Sequence, residues 1–300
     1  MKGIINILKP PGMTSSDVVT YIRRRLNIKK VGHTGTLDPD AAGVLPICIG
    51  KATKISDYIL QDKKIYICEV KLGIETDTLD ISGEVSNRTS LIPSKDRIIE
   101  TINSFIGENN QIPPMHSAIK IKGKKLYDLA RQGIMLDLPP RRIYIYNIRL
   151  IGFTTSDQFL IEVECSKGTY IRALCRDIGK ALDCGATMSF LLRNATGNFL
   201  IENSYTLDEL SRSVETGDID KLLLPVDKVL ASYMPYIRLN KKSYSKIING
   251  NWVSVDNVIE KEDHSPEGLY RIYCEHQFIG IGNYDTYSKP KYIKIKTMLM

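Results

Sequence analysis

The segment Gly32-His33-Thr34-Gly35-Thr36-Leu37-Asp38-Pro39-Asp40-Ala41-Ala42-Gly43 limits most strongly what this chain can fold into. Glycines open backbone conformations closed to other residues. A residue before proline is pushed out of the helical region, so Asp38 is expected to be held extended against Pro39. The segment offers almost nothing a core could use, and it presents a carboxylate on a shaped loop. Loops on a rigid scaffold carry function, but Gly/Asp/Pro clusters also serve as plain turns. The residues alone leave both readings open.

A chain of 300 residues, 43% hydrophobic and 25% charged, suits one large or two ordinary domains with a substantial core. Its net charge of +7 is a mild basic excess, compatible with a polyanionic partner. Cys48, Cys68, Cys165, Cys175, Cys184 and Cys274 form no C-x-x-C pair, which points to free thiols in a reducing cytoplasm. Cys274-Glu275-His276 is too small a cluster for a metal site. The N-terminus reaches Lys9-Pro10 before any signal-peptide core, and no apolar run is long enough to span a bilayer. A cytoplasmic protein without a membrane partner is expected. There is no phosphate-binding Gly-x-x-x-x-Gly-Lys-Ser/Thr and no dinucleotide glycine fingerprint.

Along the chain, residues 3 to 8 read as a strand. Ser15 or Ser16 caps a helix with Val18, Val19, Ile22 and Leu26 on its apolar face. Arg23, Arg24, Arg25, Lys29 and Lys30 exceed what the helix end needs for charge compensation and suit phosphate contacts. A helix over 52 to 60, an alternating strand over 65 to 72, a polar loop over 75 to 83 and an amphipathic helix over 94 to 106 follow. Residues 110 to 142 form a basic insertion. It carries Lys120, Lys122, Lys124, Lys125 and Arg131 around Tyr127, with a short helix over 126 to 132. It reads as a solvated insertion or an RNA-clasping arm, the interleaved Tyr127 favouring the arm. A hairpin (143 to 153 with 159 to 165), a helix from Thr169, a strand over 188 to 195, and helices from Thr206 and Pro225 complete this part. Strands and helices mix without a βαβ beat, so the class is α+β, with helices flanking a mixed, largely antiparallel sheet. A boundary near 232 to 235 divides domain 1–232 from a small β-rich domain, 233–300, ending in the basic stretch Lys289 to Lys296.

His33-Thr34-Gly35-Thr36-Leu37-Asp38-Pro39 followed by Ala42-Gly43-Val44-Leu45-Pro46-Ile47 resembles the signature loop of the bacterial-type tRNA pseudouridine-55 synthase (TruB) family. Further matches follow in family order: Asn6 to Gly12, Tyr66 with Leu72-Gly73, Thr76 to Asp80, Pro113 to Ala118, and Cys165 to Arg172. The resemblance covers roughly residues 1 to 230. It implies the pseudouridine synthase fold, a C-terminal PUA-type RNA-binding domain, and isomerisation of uridine 55 in the tRNA T stem-loop by a monomer without cofactor or metal. It makes Asp38 the nucleophile, Arg172 its partner, Asp80 a second acid sharing that arginine, and Tyr66 the residue stacking on the base and acting at C5. Tyr170 and Leu191 line the pocket, His33 fills the gap left by the extruded base, and Lys9 supports the Asp38 loop. The chain departs from the commonest pattern at Asp40 and at His116, where tyrosine is more usual.

Without the resemblance, other readings compete. A lone Arg172 beside a helical core face reads as a surface arginine, Tyr66 as a core tyrosine and Leu191 as a core leucine. Asp38, Asp40, Asp77 and Asp80 suit metal-dependent phosphoryl chemistry. The basic arm and tail also suit a non-catalytic RNA-binding protein.

Overall fold

The computed structural model describes the chain except residues 118, 122, 131, 264 and 266 and the side chains of 120, 121, 124 and 125. The arm residues Lys122 and Arg131 and the motif residue Ala118 therefore lie outside the described residues. The chain opens with β1 (Gly3–Lys9), α1 (Ser15–Leu26), β2 (Val31–His33) and β3 (Ala42–Ile49). A 3-10 turn (Gly50–Ile55) leads into α2 (Ser56–Leu60), and β4 (Lys64–Leu72) follows. A small hairpin, β5 (Ile74–Thr76) with β6 (Val85–Arg88), precedes α3 (Lys95–Ser104) and β7 (Gly107–Gln111). The arm holds the hairpin β8 (Lys120–Ile121) and β9 (Lys124–Lys125), then α4 (Leu126–Ala130). Next come β10 (Arg141–Phe153), β11 (Gln158–Cys165), α5 (Ile171–Ala181), β12 (Ala186–Thr196), β13 (Phe199–Leu200), α6 (Leu207–Glu215) and α7 (Val226–Leu230).

The first sheet runs β1-β3-β12-β4-β11-β10-β7, with β2 added to β3 and β13 to β12. Its pairings are antiparallel except β3 with β12, which is parallel and short: Leu192↔Ala42 and Arg193↔Gly43. That parallel contact stands where the Gly32–Gly43 segment enters β3, so a central strand braces the end of the loop. The strand β4 alternates buried and half-buried residues, as its sequence predicts, with Tyr66, Cys68, Val70 and Leu72 inward. These side chains share a core with Phe159, Ile161 and Val163 of β11 and with Ile171, Leu174, Cys175 and Ile178 of α5. Burying an Ile or Leu side chain contributes about 1.5–3 kcal/mol, so α5 is held firmly against the sheet. On the other side, α1 packs Val18, Val19 and Ile22 against Ile5 and Ile7 of β1 and Leu45 and Ile47 of β3.

The C-terminal region has a second, six-stranded sheet. Its strands are β14 (Tyr236–Leu239), β15 (Val253–Ser254), β16 (Val258–Lys261), β17 (Glu267–Cys274), β18 (Gln277–Asp285) and β19 (Tyr292–Met298), with α8 (Tyr244–Ile248) beside them. The order is β15-β19-β18-β17-β14-β16. It has its own core around Ile237, Ile272, Ile279 and Ile293. Ile281 and Leu299 instead join Ile4, Val44, Cys48 and Leu230 in a cluster shared with the first sheet. All six cysteines are free and buried. Among the described residues no helix is long and apolar enough to cross a membrane.

Several local expectations are corrected. The α1 cap is Thr14, not Ser15 or Ser16: Thr14 and Asp17 form a capping box, which leaves Ser15 free to bond elsewhere. The helix over 52 to 60 begins as a 3-10 turn, and residues 75 to 83 start in a strand rather than a loop. The helix expected from Thr169 starts at Ile171, with Tyr170 as its cap residue. Arg25 is ion-paired to Glu215 of α6, so it is not a free cation like its neighbours. Leu37 and Ala41, within the segment thought to offer nothing to a core, are each 3% exposed and anchor it from inside.

Candidate active site

The Asp38 loop is held from two sides by buried cations that bind backbone rather than acids. From below, Lys9 is fully buried and its Nζ donates to the carbonyls of Pro10 (2.8 Å), Met13 (2.6 Å) and Pro39 (2.9 Å). Burial lowers this ammonium to about 8, against the pull of Asp40 and Asp38. From above, Arg193 of β12, 1% exposed, donates from Nε to Val44 O (2.7 Å), from Nη2 to Gly35 O (3.2 Å) and from Nη1 to Thr36 O (3.5 Å). Ser15 clips the middle: its Oγ accepts from Leu37 N at 2.9 Å and donates to Leu37 O at 3.2 Å. Gly43, at φ +119°, lies so close to β12 that a Cβ there would sit 2.2 Å from Arg193 O. Leucine and alanine anchors inward and backbone bonds outward leave Asp38 projecting, its side chain 37% exposed.

Arg172, near the start of α5, meets it. Its Nε lies 2.8 Å from Asp38 Oδ2, with the N–H directed off that oxygen, and Nη2 donates to Asp38 Oδ1 at 3.2 Å. Nη2 also donates to His116 O (2.8 Å), and Nη1 donates to Thr78 O (2.9 Å) and Asp80 Oδ2 (3.4 Å). Arg172 is thus no surface arginine: it is 5% exposed, flat between two carboxylates and two carbonyls. Asp80 is itself fixed, accepting from Thr78 Oγ1 (2.8 Å) and Ser82 Oγ (2.5 Å). Leu79 between them adopts a left-handed φ of +65°, which carries the Thr78 carbonyl and the Asp80 carboxylate to the same guanidinium.

These groups open on a cavity of about 780 Å³ whose wall includes His33, Asp38, Asp80, Arg172 and Leu191. Five of the seven expected site residues are therefore brought together. Tyr66 and Tyr170 do not line the cavity. Tyr66 is 8% exposed because its side of β4 faces the core that Leu37 and Leu191 also enter. Burial raises its phenol, Arg193 opposes that rise, and Asp38 adds to it. Burial likewise raises the Tyr170 phenol, with a smaller contribution from Asp38. Burial and the Arg193 charge lower His33, leaving its imidazole neutral near pH 7, and its buried Nδ1 has no hydrogen-bond partner among the described residues.

The sequence reading missed Arg193, Ser15 and the two carbonyls on Arg172. A signal existed for Arg193: it falls on the inward side of an apolar strand, where an arginine needs acceptors. The carbonyl partners come from the turn at Thr78 and the arm at His116, and backbone atoms leave no mark in side-chain spacing. Gln111 and Tyr170 tie the base of the arm to α5 reciprocally, through Gln111 Nε2 to Tyr170 O (3.1 Å) and Tyr170 N to Gln111 Oε1 (2.8 Å). Of the four acids weighed as metal ligands, Asp80 is engaged by Arg172 and Thr78, and Asp77 accepts from Glu84 N (2.8 Å). Among the described residues no group of three or more His, Cys, Asp or Glu is placed to hold a metal ion.

Residues 23–171 match the family model described as TruB family pseudouridylate synthase (N terminal domain). Residues 172–231 match the tRNA pseudouridylate synthase B C-terminal domain, and 235–289 match Pseudouridine synthase II TruB, C-terminal. The chain is 51% identical to tRNA pseudouridine synthase B of Alkaliphilus oremlandii, covering 100% of this chain and 99% of that protein. It is 44% identical to the protein of the same name from Clostridioides difficile, covering 100% of both. Among solved structures, a Cbf5-Nop10-Gar1 complex matches with TM-score 0.74 and 28% identity over 99% of this chain and 85% of that one. An H/ACA RNP bound to a substrate RNA containing 2′-deoxyuridine matches with TM-score 0.74 and 25% identity, covering the same shares.

Proposed function

The chain belongs to the TruB family of pseudouridylate synthases, and from that premise we propose that it isomerises uridine 55 in the T stem-loop of tRNA to pseudouridine, with Asp38 as nucleophile. The reaction breaks the C1′–N1 bond, turns the base and joins C1′ to C5. It transfers no electrons to a cofactor and cleaves no phosphate, and the proposal includes no cofactor. The observation that carries the reading is the Asp38–Arg172 pair at 2.8 Å, opening on a cavity large enough for an extruded nucleotide.

Attack at C1′ or at C6 requires an anionic oxygen held in place. Arg172 supplies a planar, charged mate for Asp38, and its bonds to Thr78, Asp80 and His116 prevent it from following the carboxylate out of position. The neutral His33 suits insertion into the stack the uridine leaves, since no buried charge has to be neutralised. Leu191 packs against the base from the apolar side. Tyr66 and Tyr170, which do not line the cavity, enter the proposal through the family resemblance: Tyr66, its phenol kept protonated by burial, stacks on the base and manages the proton at C5. Residues 1–232 act as the catalytic domain, the 110–142 arm clasps RNA, and 233–300 form a PUA-like RNA-binding domain. The proposal takes the working form to be a cytoplasmic monomer.

The test is carbodiimide mapping of tRNA incubated with the protein and a metal chelator, with no cofactor added. Wild type is expected to mark position 55, while Asp38→Asn binds tRNA within a few-fold of wild type and leaves no mark. Turnover by Asp38→Asn would overturn the assignment of the nucleophile.

A further inference from the structure

The strand β12 contains a bulge that throws an aromatic ring outward at the mouth of the cavity. Met188 pairs with Val70 and Phe190 pairs with Glu69, so Ser189 is the extra residue. Without it, Phe190 would point the same way as Met188, into the core. With it the parity flips: Met188 is 6% exposed, Leu191 takes the next inward place at 7%, and Phe190 is left 45% exposed. The bulge is tied down, since Ser189 Oγ donates to Glu69 Oε2 at 2.7 Å. Beside it Ile81, 55% exposed, is pinned by its N–H to Met188 O at 2.8 Å. Both side chains line the same cavity as Asp38.

We propose that Phe190, flanked by Ile81, is a stacking ledge for a nucleobase adjoining the target uridine in the RNA chain. The proposal rests on the uridine-isomerase reading above. Extruding one base unstacks its neighbour, which stays covalently tethered within reach of the cavity mouth. An unstacked base gains from a flat apolar face, and an aromatic ring supplies one without regard to base identity. Two side chains make a patch far smaller than a protein partner needs, whereas one base needs no more. The bulge therefore determines which nucleotides next to the target are held.

The test uses the full-length protein and a T-arm RNA hairpin, intact or with an abasic residue at each position flanking the target. Stacking on one ring is worth about 5- to 140-fold in affinity. F190A is expected to raise KM on intact RNA within that range, with a smaller change in kcat. F190Y should stay near wild type, and F190L, apolar but without a ring face, should recover only part. One abasic position should weaken wild type comparably and cost F190A nothing further. The ledge is overturned if F190A has a wild-type KM, if F190L fully restores it, or if both abasic penalties persist unchanged in F190A, as they would if the arm rather than the base covered Phe190. Wild-type turnover on intact RNA tests uridine isomerisation in the same assay. A failed ledge with active wild type leaves that reading standing, and an inactive wild type sinks the isomerase reading and the ledge with it.

Discussion

Replacing Arg193 by methionine isolates what the buried guanidinium does for the Asp38 loop. Methionine keeps most of the stem and removes every donor. The Val44 carbonyl, in a fully buried residue, loses a 2.7 Å bond, and the half-buried Gly35 carbonyl loses one of 3.2 Å. The 3.5 Å contact to Thr36, an exposed residue, counts for little. Leaving a buried acceptor unpaired costs about 1–3 kcal/mol, so the two bonds together cost about 2–5. The variant also no longer buries a charge that has no carboxylate within ion-pair distance among the described residues, which returns part of that cost. A net loss of about 2–4 kcal/mol follows, out of the 5–15 typical of a folded protein. Equilibrium urea unfolding reads the loss as a lower midpoint at an unchanged slope. Because Gly35 and Thr36 precede Asp38, kcat is expected to fall by about tenfold or more while tRNA binding changes little. If Arg193→Met unfolded at the wild-type midpoint with wild-type kcat, the loop would be held by something other than this cradle.

Four further outcomes are expected. Arg172→Lys keeps the charge but cannot bridge two acids and two carbonyls, so pseudouridine formation should drop by about 10²-fold or more, read by single-turnover kinetics. Gly43→Ala forces a Cβ to 2.2 Å from Arg193 O at φ +119°, and thermal unfolding should show a loss of about 2–4 kcal/mol. His33 has a folded-state pKa below its ordinary 6.5, so the unfolded chain binds the proton more readily and stability falls as pH drops below about 6.5. His33→Asn should flatten that part of the stability profile, measured by urea midpoints between pH 5 and 7. Changing Lys122, Lys124 and Lys125 to alanine should weaken tRNA binding and reduce the slope of log K against log salt by about one for each phosphate no longer neutralised. An unchanged slope would take the arm out of the interface.

The long elements were legible because each had one period to read: β4 alternates where its pattern predicts, and α5 repeats its apolar residues at helical spacing, starting two residues later than expected. The strand β7 was not, because Gly-Glu-Asn-Asn-Gln shows no alternation and exists through its pairing with β10. At the site, Asp38, Asp80 and Arg172 were readable through family motifs, yet Arg172 looked exposed by helical position alone. Its burial comes from the Thr78 turn and from the arm laid over it, contacts between segments far apart in the chain. The same cause hid the 45% exposure of Phe190. A bulge shifts parity by one residue, and the residue responsible, Ser189, is unremarkable in any local pattern.

Ile4 and Leu299 meet in one buried cluster, and the Lys2 ammonium donates to Leu299 O at 2.9 Å. A contact spanning nearly the full chain has high contact order, which raises the loop-closure entropy that folding must overcome. Cutting the protein near residue 232 would therefore do more than detach an appendage. It would strip Ile281 and Leu299 from Ile4, Val44 and Cys48, baring a greasy seam on β1 and β3 of the first sheet. An isolated N-terminal fragment is expected to self-associate through that seam, so the two sheets are better treated as one cooperative unit than as a catalyst with a detachable handle.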